Sequence, residues 1–262
     1  MSTNQAERPQ LYWTFSDTLV MCWRNLLRYI RVPGALAFYT LQPIMFLLLF
    51  NYVFGGAIHS GSGAYIEFLL PGVMVQSILF GAMGTAENIA GDMSLGIIDR
   101  FRSLPMARSA FLGGRIVADV VHHILTVLIL LGIGIPMGFR FQGGPLYAIA
   151  ALVLVVASGI PFSWLSALIG TTIKEPETAQ VAGFIWVFPL TFVSSIFVSV
   201  NTMPSWLQLL AKINPVSPLA DTLRAFITGG QLEPMLWESL AWIVGLSVLF
   251  ATLAILQYRR IK

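Results

Sequence analysis

Charge is what this 262-residue sequence has least of: Asp, Glu, Lys and Arg make up 10% of it, against about a quarter in an ordinary soluble domain. Hydrophobic residues fill 56%, gathered into runs of about 20, the length that crosses a bilayer. A water-soluble globule is excluded. There is one cysteine, Cys22, so neither an intrachain disulfide nor a cysteine-built metal centre can form, and its plain reading is a small apolar helix residue. No Gly is followed by Lys, which removes the phosphate loop Gly-x-x-x-x-Gly-Lys. None of His59, His122 and His123 is followed by Glu, so His-Glu-x-x-His is missing, as is Gly-x-Ser-x-Gly. Nucleotide hydrolysis is therefore expected in another chain, and the readings as a membrane hydrolase lose their usual motifs. The first 35 residues are polar and amphipathic, unlike a cleavable signal peptide, so the first span itself is expected to direct insertion.

The runs that are present predict an all-α integral membrane protein, since in lipid every backbone N–H and C=O must be paired within its own segment. Six spans are predicted, at Leu36–Ala57, Phe68–Ile89, Val117–Met137, Leu146–Gly170, Ala179–Val200 and Leu236–Leu256. Twelve Lys and Arg residues flank them on one side and three, Arg140, Lys212 and Arg224, on the other. That bias places both termini in the cytoplasm. The whole chain, 1–262, reads as a single transmembrane domain with three special segments at 10–32, 91–115 and 201–234.

Segment 10–32 interleaves Trp13, Phe15, Leu19, Trp23 and Leu27 with Arg24, Arg28 and Arg31. This is the pattern of a helix lying in the headgroup plane with its basic side chains toward anionic lipid, broken by Pro33-Gly34; a solvated amphipathic segment is the alternative. In 201–234, Pro204, Trp206, Leu207, Leu210 and Ile213 follow helical spacing up to Asn214-Pro215. A second short helix is expected from Ser217 as N-cap, with Pro218 in its first turn, to Gly229-Gly230. Two helices too short to cross predict a re-entrant hairpin in the outer leaflet.

Few groups could carry chemistry. Asp119 shares a helix face with His122 and His123, which suits a proton relay or a metal. Their place at the start of the third span favours ordinary contact with interfacial water. Glu87 stands where the helix dipole disfavours an anion and calls for a cationic or hydrogen-bonding partner, with Arg115 the candidate by depth alone. Trp164 and Trp186 come out at similar depth and could face a flat hydrophobic substrate, with plain packing the alternative. In 91–115, Ile97, Ile98, Phe101 and Leu104 fall at helical spacing beside Asp99, Arg100 and Arg102, and Pro105 ends the run. A short exposed helix of this kind suits docking into a groove of a soluble partner; a helix resting on the membrane surface is the alternative.

The run Gly96-Ile97-Ile98-Asp99-Arg100-Phe101-Arg102-Ser103-Leu104-Pro105, with Arg108 and Gly114-Arg115 beyond it, resembles the permeases of type-2 ABC exporters, particularly the daunorubicin-resistance type. Met203-Pro204-Ser205-Trp206-Leu207, Asn214-Pro215-Val216-Ser217-Pro218 and Arg224 extend the match. The resemblance implies that Asp99, Arg100, Phe101, Arg102, Leu104 and Pro105 form a coupling helix on an ATP-binding subunit. It implies that Pro204, Trp206, Asn214, Pro215 and Arg224 belong to the outer hairpin. It further implies two permeases on two ATPase subunits in the bacterial cell membrane, ATP and Mg on those subunits and no cofactor here. A hydrophobic or amphipathic small molecule would pass near spans two and five, and Glu87 on span two, Trp164 on span four and Trp186 on span five are candidates for the pathway. Polysaccharide or glycolipid export is the nearest alternative. A secondary transporter is disfavoured, because spans one, four and five carry no charge.

Overall fold

The computed structural model describes residues 10–31, 33–55, 65–102 and 108–260. Among the described residues every regular element is helical: α1 (Gln10–Arg31), α2 (Pro33–Leu49), α3 (Tyr65–Ser94), α4 (Ile97–Arg102), α5 (Arg108–Gly134), α6 (Pro145–Thr172), α7 (Pro176–Phe192), α8 (Ser205–Ile213), α9 (Val216–Thr228) and α10 (Met235–Arg260). A π-helical turn, Phe50–Phe54, prolongs α2. Four helices, α3, α5, α6 and α10, are long and apolar enough to cross a membrane. The second, third, fourth and sixth predicted spans fall on these helices.

The central element is α3, which is buried around most of its circumference and packs against α2, α5, α6, α7 and α9. α1 lies along α5, and α10 along α6. α1 approaches so closely that a Cβ on Gly114 of α5 would stand 2.5 Å from Met21 Cβ and 2.8 Å from Thr18 O; any larger residue there would push α1 away. α1 buries Met21, Cys22 and Asn25 and leaves Phe15, Leu19, Val20 and Trp23 exposed. Because α1 and the close of α10 both pack around Phe111 near the start of α5, that end is called proximal and the end bearing α8 and α9 distal.

Two boundaries differ from the sequence reading for identifiable reasons. The fifth predicted span extends to Val200, whereas α7 stops at Phe192. The chain leaves helical geometry at Val193 (φ −96°, ψ 54°), where Asn214 Nδ2 donates to the Leu190 and Val193 carbonyls and Arg224 to those of Ser195 and Ile196. At the start of α9, Ser217 does not cap. Asn214 does: its Oδ1 accepts the Val216 N–H at 2.9 Å and its Nδ2 donates to Leu190 O at 2.9 Å. Ser217 lies inside the helix, where its hydroxyl accepts the Ser195 N–H at 3.2 Å. The expected stop holds, with Gly229 at φ 70° closing α9. Of the first predicted span, 56–57 lie outside the described residues.

Candidate functional site

Polar side chains gather at both ends of the bundle. At the proximal end Arg115 and Asp119 stand one turn apart on α5 and form an ion pair of 3.2 Å. Their side chains are 3% and 1% exposed, which corrects the expectation of interfacial water around Asp119. Two desolvated charges are costly unless their remaining hydrogen-bonding capacity is met, and here it comes from two other helices. Tyr29 of α1 donates its hydroxyl to Asp119 Oδ1 at 3.2 Å and accepts from Arg115 Nη2 at 2.7 Å. Thr85 of α3 donates to Asp119 Oδ2 and accepts from Arg115 Nε at 3.2 Å. Burial pushes the Tyr29 phenol well above its ordinary range, with Arg115 opposing and Asp119 adding to the shift. The network ties α1, α3 and α5 together and carries no net charge.

The neighbouring histidines are buried as well. His122 stacks on Tyr29 with ring centres 5.2 Å apart. His123 fits against Gly159 of α6, where a Cβ would stand 2.5 Å from its Cδ2. Among the described residues no group of three or more His, Cys, Asp or Glu side chains is placed to hold a metal ion.

In the last turn of α3, Asp92 is also buried, at the end of the helix whose dipole disfavours an anion. Arg24 reaches both its oxygens at 3.1 and 3.0 Å, and Arg28 reaches Oδ1 at 3.0 Å. The sequence reading aimed these arginines at lipid phosphates; they point into the protein. Glu87 sits half-buried on α3.

α4 follows α3 through Gly96, whose φ of 64° sets the bend. Ile98 is buried. Phe101 rests 6.2 Å from the Phe111 ring, Arg24 lies 5.0 Å over its other contact surface, and Phe111 in turn stacks on Tyr258 of α10. The apolar side chains Ile98 and Phe101 of α4 thus face their own chain, and Arg100 is exposed. The side chains of Asp99 and Arg102, and all of Leu104 and Pro105, lie outside the described residues. Trp164 packs with the proximal cluster around Phe111, whereas Trp186 stacks on Phe162 at 5.7 Å in the central core. The two tryptophans therefore belong to different clusters.

The distal end is organised by Arg224 of α9. It donates from Nε to Phe68 O at 3.0 Å, from Nη2 to Ser195 O and Ile196 O at 2.8 and 2.9 Å, and from Nη1 to Asp221 at 2.7 Å. Its Cζ lies 3.6 Å from the centre of the Phe68 ring. The guanidinium so joins α3, the turn after α7 and α9. Pro204 leads into α8, Trp206 is 67% exposed on it, and Pro215 leads into α9. Sequence reasoning singled out Arg224 and Asn214 but missed Asp92, Tyr29 and Thr85, whose partners are 30 to 90 residues away. The one available signal was an uncompensated Asp at a helix C-terminus.

Comparison with known proteins accords with this architecture. The family model described as ABC-2 type transporter matches residues 16–228. The chain is 34% identical to the daunorubicin resistance ABC transporter permease protein of Streptomyces coeruleorubidus, over 97% of this chain and 89% of that one. It is 30% identical to a probable doxorubicin resistance ABC transporter permease protein of Mycobacterium tuberculosis, over 94% of this chain and 89% of that one. A putative transport permease of Cyanophora paradoxa is 24% identical over 81% of this chain and 74% of its own length. The chain belongs to the ABC-2 type transporter family and is a membrane permease.

Proposed function

We propose that this ABC-2 family permease forms the translocation path of an exporter for hydrophobic or amphipathic small molecules, driven by ATP hydrolysis in a separate subunit. What carries the reading is its likeness, over nearly the whole chain, to permeases named for resistance to daunorubicin and doxorubicin. The absence of a phosphate loop from the sequence supports a partner ATPase, binding ATP and Mg, as the source of energy. Two permeases on two ATPases would form the assembly. In this reading α2 and α7 join the four long helices as spans one and five, α8 and α9 form the outer re-entrant hairpin, and α1 lies in the inner headgroup plane. The basic bias supports both termini in the cytoplasm, which makes the proximal end the inner one.

Segment 97–105 is then the coupling segment, with α4 as its helix. Arg100 offers the partner-facing contact, with Asp99, Arg102, Leu104 and Pro105 beside it, and Phe101 secures it from behind. ATP-driven closure of the partners presses α4 and shifts the helices of two permeases against each other, and Glu87, Trp164 and Trp186 are the candidates for the pathway. Pull-down of the tagged permease with mass spectrometry is expected to recover an ABC ATPase, and ATP turnover is expected in the complex but not in the purified permease. Robust turnover by the permease alone would overturn the assignment. In a Cys22→Ser background, cysteines at Ser62 and Gly143 are expected to react with an impermeant reagent in intact cells, and one at Ser109 is not; the reverse pattern would invert the topology.

A further inference from the structure

The coupling helix is short, with six residues and one bend at Gly96, and cannot hold its own direction. A helix of this length has too few internal hydrogen bonds to be stable alone, so its angle to α3 must be set by neighbours. Phe111 of α5 supports Phe101 with ring centres 6.2 Å apart, and Arg24 of α1 reaches both sides of the bend. Arg24 binds Asp92 on the near side of the bend with both oxygens, and also lies over Phe101 on the far side of it. Arg28 adds a second hold on Asp92. Asp92 is 6% exposed, whereas the two arginines are 31% and 38% exposed. The anion is thus fixed in the protein while the cations reach in from the surface helix.

We propose that Arg24 is a positioning residue for coupling: by bridging Asp92 before the bend and Phe101 after it, it locks α4 at one angle to α3, so that a push on α4 moves α1 and α3 together. The proposal rests on α4 being the coupling helix and adds what orients it. α1 thereby becomes a brace as well as a membrane anchor. Arg suits the task because its planar guanidinium can set one nitrogen, Nη2, between both carboxylate oxygens while its face lies over an aromatic ring.

The test uses the permease with its ATPase in proteoliposomes. Spin labels at Trp23→Cys and Leu95→Cys, both exposed positions, in a Cys22→Ser background report the distance from α1 to the α3–α4 bend. Asp92→Asn is expected to broaden that distance distribution and to reduce stimulation of the ATPase about fivefold, the low end of coupling effects, with the complex still recovered. Asp92→Glu should restore both. If Asp92→Asn fails to assemble, Arg24→Gln, which leaves Arg28 in place, should show the same two changes. An unchanged distance distribution and unchanged stimulation in Arg24→Gln would overturn the proposal. A cross-linker on Arg100→Cys separates the two ideas. Capture of the ATPase with unchanged readouts refutes the brace and leaves the coupling helix standing, whereas no capture from the parent complex refutes both.

Discussion

Arg115 near the proximal end and Arg224 at the distal end are both withdrawn from water, and the chain satisfies them in opposite ways. Arg115 spends its donors on side chains: a carboxylate, a phenol and a threonine hydroxyl from three regular helices. Arg224 gives most of its donors to backbone carbonyls, two of them in the irregular turn after α7. Where helices are intact their carbonyls are already paired, so a buried cation there needs a buried anion. Where a helix has unwound, the carbonyls themselves are the problem, and a guanidinium fork solves it for several at once. One arginine depends on charge and the other on shape.

Breaking the charge balance should have the largest effect. Arg115→Ala leaves the Asp119 carboxylate uncompensated in the interior and is expected to destabilise the permease by about 3–5 kcal/mol, read as a fall in the thermal midpoint of the detergent-solubilised protein. Arg115→Met combined with Asp119→Leu should recover most of that loss, since a well-packed apolar pair can replace a buried ion pair. Equal losses in the single and double variants would mean that packing, not charge, holds this end together.

Shape can be tested at the other end with a smaller expected loss. Arg224→Lys keeps the charge but cannot reach Phe68 O, Ser195 O and Ile196 O together, and is expected to cost about 2 kcal/mol. Faster amide hydrogen exchange should be confined to the 193–203 turn and α9. If the lysine variant matches the parent in both measurements, charge suffices at the distal end too and the contrast disappears.

How much of this was legible in the sequence depended on the range over which each interaction acts. α1, α8 and α9 announce themselves through local spacing and through Pro33, Asn214-Pro215 and Gly229-Gly230, and their ends fall close to the expected places. α7 was overextended because the apolar run continues past Pro189 without a break in composition, and only the carbonyl partners from the hairpin show where the helix stops. The proximal network was misplaced for a different reason. Depth along a span says how near a residue is to the membrane surface, but not whether another helix stands between it and water. Tyr29 and Asp119 are 90 residues apart, and nothing local to Asp119 signals that α1 covers it. The same covering turned Arg24 and Arg28 inward, where amphipathicity alone had pointed them at lipid.

The smallest expected effect reports on that cover directly. Burial, and after it the Asp119 carboxylate, raise the Cys22 thiol on α1 above its ordinary value. Because the thiolate is the reactive form, alkylation of Cys22 in the native permease should require a higher pH than a free thiol needs. Asp119→Asn should lower that pH slightly. An alkylation profile like that of a free thiol would mean that α1 does not stay seated on α5.

The early end of α7 has a consequence for the bilayer as a material. In the proposed topology α7 is the fifth span, and its 17 residues rise about 26 Å at 1.5 Å each, less than the hydrocarbon thickness of about 30 Å. A helix shorter than its slab is accommodated by thinning of the slab. Lipid beside α7 should therefore dip on the distal side. The hydrophobic mismatch would make the permease sensitive to lipid chain length, with longer chains straining it most along this one flank.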